Sequence, residues 1–315
     1  MAVFTRLEHE DIKAILLNYK IGDLVSFKEI SEGVENTNYL IETTNGKHIL
    51  TIFEKRVSKK DLPFFLGLMD YLSTNNFPSP KIHRNDSGNL TFNFKAKTGV
   101  IISFLEGIIV EKTELNDEII LKAGAKLADM HNITQSFSAR RENEYTLKGI
   151  TKLFQGLKLK RAIPAEHEAL VKEKINYLQT RDFSELPKGV IHADFFPDNV
   201  FAQNNQITGV IDFYFACYDY LNYDIATTIN AWCFDKEHNF KEETANNLLS
   251  GYESIRKLSA REKYYLKDFC LLTSIRFYLT RTFDKTYQNK NANVTIKNPN
   301  DYYKRLEFFS NFNGF

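Results

Sequence analysis

The feature that most constrains this chain is an eight-residue loop, HADFFPDN, at residues 192–199. It has the form H-x-D-x-x-x-x-N. A short apolar strand pattern at 189–191 enters it, and another at 200–202 leaves it. Asn204-Asn205 then turns the chain, and residues 207–211 return it as a strand that ends at Asp212. Two carboxylates and one amide are thus tied to the ends of short neighbouring strands. A plain polar turn, with Asp194 capping and Asn199 turning the chain, would account for the loop alone. It accounts for neither the flanking strands nor the placement of Asp212.

Around this island the texture of the chain changes once. Residues 8–20 carry Ile12, Ile15, Leu16 and Tyr19 at i, i+3, i+4 and i+7, the spacing of an amphipathic helix. Thr5 and Glu8 fit a capping box before it. Strands are expected at 24–30, 37–43 and 48–53, the last two flanking Asn45-Gly46, a strong hairpin signal. Between the first two lies SEGVENTN, residues 31–38, polar and with a single glycine, Gly33. A helix is expected at 61–72 and short strands at 90–94 and 99–105. From Asn116, which fits an N-cap, helices dominate, and Ile119, Ile120, Ala123, Leu127 and Met130 line one face. Helical patterns run to about residue 283, and the polar tail at 289–303 reads as irregular.

Composition narrows the function by exclusion. The chain has 315 residues, enough for a proper core without metal or disulfide staples. Its 41 Lys and Arg nearly cancel 40 Asp and Glu, which leaves no basic footprint for nucleic acid. No apolar run approaches the ~18 residues of a membrane-spanning helix. The N-terminal stretch MAVFTRLEHEDIK lacks the apolar run of a signal peptide. Cys217, Cys233 and Cys270 form no CxxC pair and are odd in number, which argues for a reducing compartment. The expectation is a cytoplasmic protein with a small-molecule substrate and neither nucleic-acid nor membrane partners. Monomer and homodimer are equally compatible with the sequence.

The order of elements matches what phosphoryl transfer requires: a strand, a polar glycine loop, further strands, then a helical half holding H-x-D-x-x-x-x-N and a later Asp. That reaction needs an aligned nucleophile and metal ions to neutralise developing phosphate charge. One carboxylate must meet the attacking hydroxyl. An amide oxygen and a second carboxylate must hold Mg²⁺, a hard cation that takes oxygen ligands. Asp194, Asn199 and Asp212 supply these groups. His192 either takes part in the chemistry or hydrogen-bonds backbone and shapes the turn. His131, closing an apolar helical face, reads as a satisfied core histidine. Backbone N–H groups of residues 32–38 would cover the phosphates of ATP, with Ser31, Asn36 and Asn38 adding short polar side chains. The alternative for that loop is an ordinary hairpin connection.

The segments SEGVENTNYLIETTNGKHILTIFEKRV, DLPFFLGLM, GVIHADFFPDNVF, GVIDFYFAC and YDIATTINAWCF, in this order, resemble the aminoglycoside phosphotransferase and choline kinase-like superfamily. Within it they are most similar to the bacterial homoserine kinases of the kinase-like type, and the similarity spans nearly the whole chain. The resemblance implies an α+β, two-lobed protein-kinase-like fold. Its N-terminal nucleotide-binding lobe, 1–105, would be an antiparallel sheet, and its C-terminal lobe, 106–315, mainly helical. It implies ATP and Mg²⁺ as cofactors and transfer of the γ-phosphate to the side-chain hydroxyl of L-homoserine, giving O-phospho-L-homoserine for threonine synthesis. Carried over, Asp194 matches the catalytic base and Asn199 and Asp212 the metal ligands. Residues 102–105, including Ser103 and Leu105, match the linker whose backbone pairs with adenine. Asp224 matches an acid that braces the catalytic half.

The chain also departs from that pattern. Relatives place a Lys on the third strand, paired with a helix Glu. Here those positions fall on Thr51 and near Phe65. Losing one partner alone would strand a charge in a partly buried cleft, so their joint loss is coherent. Lys55 and Arg56 either supply the phosphate-facing cation instead or are a solvated strand end. For the acceptor, a carboxylate calls for an Arg, with Arg141, Arg276 and Arg281 as candidates. An ammonium calls for a carboxylate, and Asp198 and Asp219 are candidates, Asp198 also fitting a turn cap. Tyr214 and Trp232 either wall the pocket or are core aromatics. Another small-molecule kinase of the same fold, acting on an aminoglycoside, choline, methylthioribose or a hydroxylated amino acid, is one alternative. A nucleotide-binding pseudokinase is the other.

Overall fold

The computed structural model describes residues 5–30, 36–54, 58, 60–112, 115–287 and 297–315. The chain forms two compact units, Met1–Gly107 with Thr208–Tyr214, and Ile108–Ile207 with Phe215–Phe315. The first unit therefore takes in residues 208–214, which the sequence reading placed in the second lobe.

The first unit opens with α1 (His9–Leu16). Its cap is Glu8 rather than Thr5: the Asp11 carboxylate accepts the Glu8 N–H at 2.9 Å, and the Glu8 side chain reciprocates. Thr5 is engaged elsewhere. Its hydroxyl donates to Glu54 Oε1 at 2.5 Å, and its N–H to the Thr37 hydroxyl at 3.1 Å. Glu54 is in turn ion-paired with Lys97. The strands are β1 (Leu24–Ile30), β2 (Thr37–Thr43) and β3 (Gly46–Ile52). Then come α2 (Leu62–Thr74), β4 (Phe92–Phe94) and β5 (Lys97–Ser103). They pair antiparallel in the order β1-β2-β3-β5-β4. Thr43 pairs with Gly46, so the hairpin turn is Thr44-Asn45, one residue before the expected pair. Gly46 opens β3 at φ +126°, a conformation that favours glycine. Alternate residues of β2 and β3, Tyr39, Ile41, Leu50 and Ile52, close a core with Ile12, Ile15 and Leu16 of α1.

The second unit begins with β6 (Ile108–Ile109) and α3 (Asp117–Ile133). Asn116 caps α3 as expected, accepting the Ile119 N–H at 3.0 Å. Next come α4 (Leu147–Leu159), α5 (Ala165–Gln179) and β7 (Lys188–Ile191). The strand island continues with β8 (Val200–Gln203), β9 (Gln206–Val210), whose last three residues belong to the first unit, and β10 (Cys217–Tyr220). β7 pairs antiparallel with β10, and β6 with β8. Four helices complete the unit: α6 (Leu221–Trp232), α7 (Glu242–Ile255), α8 (Ala260–Tyr287) and α9 (Asn300–Asn311). α3 and α7 meet through glycines. A Cβ on Gly124 would lie 2.0 Å from the Leu248 carbonyl oxygen, and one on Gly251 would lie 1.9 Å from that of Leu121. Only hydrogen fits between these backbones.

The expectation of an irregular tail fails from Asn300 onward. Pro299 precedes a helix in which Tyr302, Tyr303, Leu306 and Phe309 are buried, and Tyr302 rings against Phe277 of α8 at 4.9 Å. The tail's polar composition masks an apolar stripe that only tertiary packing uses. Among the described residues no helix is long and apolar enough to cross a membrane. All three cysteines are buried as thiols.

Candidate active site

The loop after β7 is held from three sides. Ala193 sits at φ +62°, a left-handed conformation that costs a non-glycine residue roughly 1–2 kcal/mol. The carboxylate of Asp224, on α6, accepts the N–H of His192 at 2.7 Å and of Ala193 at 2.8 Å. Arg276, on α8, donates to the carbonyl of Ala193. Trp232 Nε1–H donates to the carbonyl of Phe195 at 2.8 Å and stacks on its ring. Together these bonds over-determine a strained turn, which is how such conformations persist.

Asp224 is completely buried and continues inward. His131 Nε2 lies 3.0 Å from its Oδ2, and His131 Nδ1 lies 2.8 Å from the Tyr252 hydroxyl. Burial pushes the Asp224 carboxyl up. The bond and charge of His131, with the His192 side chain and N–H, outweigh it and hold the carboxyl below the usual carboxylate range. His131 is thus a satisfied core histidine. His192 Nδ1 faces the Asp194 N–H at 3.3 Å, a bond that shapes the turn.

Asp194 and Asn199 are brought together. Asn199 ends a short 3₁₀ turn, Pro197–Asn199. Its Nδ2 donates to the Asp194 carbonyl at 2.9 Å and to Asp194 Oδ2 at 3.2 Å. The amide therefore orients the carboxylate, and its Oδ1 is the atom left to face a cation. Asp212 follows β9 within the first unit and adopts φ +65°. Among the described residues no three His, Cys, Asp or Glu side chains gather into a metal cluster. An amide oxygen and a carboxylate are both hard oxygen donors, the chemistry that Mg²⁺ takes.

The acceptor-side candidates have distinct fates. Arg276 is 2% exposed, and its guanidinium lies within 6 Å of the rings of Tyr145, Phe215, Tyr223 and Phe277. Arg281 donates to Asp301 Oδ2 at 3.1 Å and to the Asn298 carbonyl at 3.0 Å. Asp198 Oδ2 pairs with Lys297 Nζ at 2.6 Å. Asp219 is buried between Asn143 Nδ2 at 2.6 Å and its neighbour's N–H, so it holds a loop together. Arg141 pairs with Glu144 at 3.3 Å. Trp232 is a core residue anchored to the loop. Sequence reasoning passed over Lys297, Tyr302 and Arg305. A Pro followed by apolar residues at 302, 303, 306 and 309 was the signal for the helix that carries the last two.

In the first unit, Thr51 takes the position expected for the strand-three Lys. Its hydroxyl donates to Asn38 Oδ1 at 2.7 Å, and the side chain is buried. Phe65 is buried in α2 and meets Tyr214 edge-on at 5.7 Å, as Phe53 does at 5.9 Å. A neutral hydrogen bond and an aromatic cluster stand where a buried ion pair was absent. Asn36 Oδ1 accepts the Glu54 N–H at 3.3 Å. In the linker, the N–H of Ser103 donates to Lys81 and that of Phe104 to Lys47, and Leu105 follows them. Ser31, Gly33, Lys55 and Arg56 lie outside the described residues.

Known proteins resemble this chain in sequence and in fold. Residues 26–258 match the sequence model of the phosphotransferase enzyme family. A homoserine kinase of Gluconobacter oxydans is 42% identical over 315 residues, covering 98% of both chains. One from Nitrobacter winogradskyi is 41% identical, covering 98% of this chain and 94% of its own. Among solved structures, an aminopropanol kinase associated with a microcompartment superposes with a TM-score of 0.70 at 19% identity, covering 96% of this chain and 94% of the other. An amicoumacin kinase in complex with AMP-PNP, Ca²⁺ and Ami gives 0.69 at 18%, covering 96% and 92%. These structures share the fold.

Proposed function

This chain belongs to the phosphotransferase enzyme family, and we propose that it transfers the γ-phosphoryl group of ATP to the side-chain hydroxyl of L-homoserine. Similarity of about 40% to homoserine kinases over the full chain carries the choice of acceptor. The oriented carboxylate of Asp194 supports the chemistry.

Asp194 acts as the base. It accepts the proton of the acceptor hydroxyl as that oxygen bonds to the γ-phosphorus and the bond from phosphorus to the β,γ-bridging oxygen breaks. ADP leaves, and the product is O-phospho-L-homoserine. A positioned base of this kind contributes typically 10²–10⁴-fold. Asn199 Nδ2 keeps one carboxylate oxygen in place, so little reorganisation is needed at the moment of transfer. Mg²⁺, when bound, neutralises charge on the phosphate oxygens, and Asn199 Oδ1 with the Asp212 carboxylate would hold it. Asn36, just before β2, with Ser31 and Gly33 outside the described residues, would help cover the phosphates, whereas Asn38 sits in β2 with its Oδ1 taken by the Thr51 hydroxyl. Ser103 and Leu105 offer backbone to adenine. Lys55 is the nearest cation after β3 in sequence to serve in place of Thr51. Three buried free thiols fit a reducing compartment, which supports our reading of a cytoplasmic enzyme.

The test is ADP release with ATP and Mg²⁺ against L-homoserine, L-serine, L-threonine, choline, methylthioribose and kanamycin. Selective turnover of L-homoserine is expected. Selective turnover of another acceptor would overturn the substrate and retain the chemistry. ATP binding without turnover of any acceptor would leave a pseudokinase.

A further inference from the structure

We propose that Arg305 reads the carboxylate of the amino-acid acceptor and that Asp198 meets its ammonium, with the Tyr302 hydroxyl set between these two poles. This assignment rests on the acceptor reading above and names the residues that impose it.

Among the buried polar groups without a hydrogen-bond partner in the described residues, three lie on the catalytic loop or on α9. They are Nε and Nη1 of Arg305, Oδ1 of Asp198 and the hydroxyl of Tyr302. A buried polar group left unpaired costs roughly 1–3 kcal/mol, more when charged, so native proteins retain few of them. The three are chemically complementary to one kind of ligand. Arg305 offers only donors, Asp198 Oδ1 only accepts, and a phenol does both. A zwitterionic amino acid answers all of them together.

The groups are held rigidly. The Arg305 guanidinium is 4.2 Å from the Tyr302 ring centre and 5.2 Å from that of Phe234, which keeps its plane fixed. Asp198 is fixed by Lys297, whose ammonium also lies over Phe196 at 5.4 Å. Phe196, two residues beyond Asp194, contacts the Tyr302 ring at 6.4 Å. The charges of Arg305, Arg281, Asp194 and Lys297 all act on the Tyr302 phenol. The Tyr302 phenol is thus within electrostatic reach of the base Asp194 and of Arg305, and its ring adjoins Phe196 of the catalytic loop. Nε of Arg141 and of Arg276 is also unpaired, but each of these arginines is already engaged through another nitrogen, Arg141 with Glu144. Arg281 is bound to Asp301, and Arg276 to the Ala193 carbonyl inside an aromatic cage.

The experiment compares acceptors that differ by one charge. 3-Aminopropan-1-ol keeps the hydroxyl and ammonium of L-homoserine and lacks the carboxylate, whereas 4-hydroxybutyrate lacks the ammonium. Arg305→Met should lower kcat/KM for L-homoserine on the order of 100-fold, through KM, and leave 3-aminopropan-1-ol and the KM for ATP within a few-fold. Asp198→Asn should erase the preference over 4-hydroxybutyrate instead. Arg305→Lys, which keeps charge without the planar fork, should fall between wild type and Arg305→Met. It carries the same comparison if the Met variant does not fold. Equal losses on L-homoserine and 3-aminopropan-1-ol would overturn the Arg305 assignment while homoserine turnover by the wild type stands. Absence of that turnover in the wild type would overturn the functional reading, and this assignment with it.

Discussion

The guanidinium of Arg276 donates to the backbone carbonyl of Ala193, the left-handed residue immediately before Asp194. The N–H of that same residue is taken by Asp224. Both polar groups of Ala193 are thus anchored to helices, and the side chain that follows inherits a fixed direction. Arg276→Met should therefore act on kcat, lowering it about 100-fold, a loss typical of a reacting group misplaced by about 1 Å. The KM values for both substrates should hold, and Arg276→Lys should recover part of the loss. Steady-state kinetics decides the matter. A rise in the KM for L-homoserine at constant kcat would mean that Arg276 binds the acceptor instead.

Asp194→Asn removes the proton acceptor and keeps the shape. Turnover should fall by about 10²–10⁴-fold while ATP affinity, measured by titration calorimetry, stays within a few-fold. Asp212→Asn should instead weaken the Mg²⁺-dependent part of nucleotide binding. Nucleotide affinity that does not respond to Mg²⁺ in the wild type would exclude the metal role given to Asp212.

The glycine contact between α3 and α7 makes a prediction about stability alone. Gly251→Ala would drive a methyl into the Leu121 carbonyl, and the helices would have to separate. A loss of about 1–3 kcal/mol or more is expected in urea unfolding. Gly156→Ala is the matched control. Its Cβ would enter open space on helix α4, where the better helix former should stabilise by up to about 1 kcal/mol.

His48 Nδ1 and His83 Nε2 stand 3.0 Å apart in the first unit. Burial, with the charges of His48 and Lys81, brings the His83 pKa down to about 4, and burial lowers that of His48 as well. In the unfolded chain such rings titrate near 6.5. Between those values the unfolded state binds more protons, so stability falls as pH drops from about 6.5 towards 4. Thermal unfolding at pH 6.5 and 5.0 should show this loss, and His83→Gln should reduce it. An unchanged slope in that variant would remove the pair from the account.

Much of the molecule was legible in its residues. The strand at 24–30, the Asn116 cap and the α-helical second half follow from local periodicity and short-range capping, which depend on neighbours in sequence. The spacing that joins Asp194 to Asn199 is also local, because five residues of a tight turn bring their side chains together. The Thr5 box failed because Glu54, forty-nine residues away, competes for the Thr5 hydroxyl. The turn at Asn45-Gly46 slipped by one residue because pairing of Thr43 with Gly46 sets the register.

What tertiary structure alone decided is the work of the charged side chains. From sequence, Arg276 and Arg281 looked equally fit to bind a carboxylate. Folding turns one towards the Ala193 carbonyl and the other towards Asp301, and leaves Arg305, just beyond the tail expected to be irregular, with two donor nitrogens unmet. Sequence determines which groups a chain owns and how neighbours in the chain will pack. It does not determine which buried donor meets which acceptor, because those bonds join residues distant in sequence and form only when the helices between them have packed.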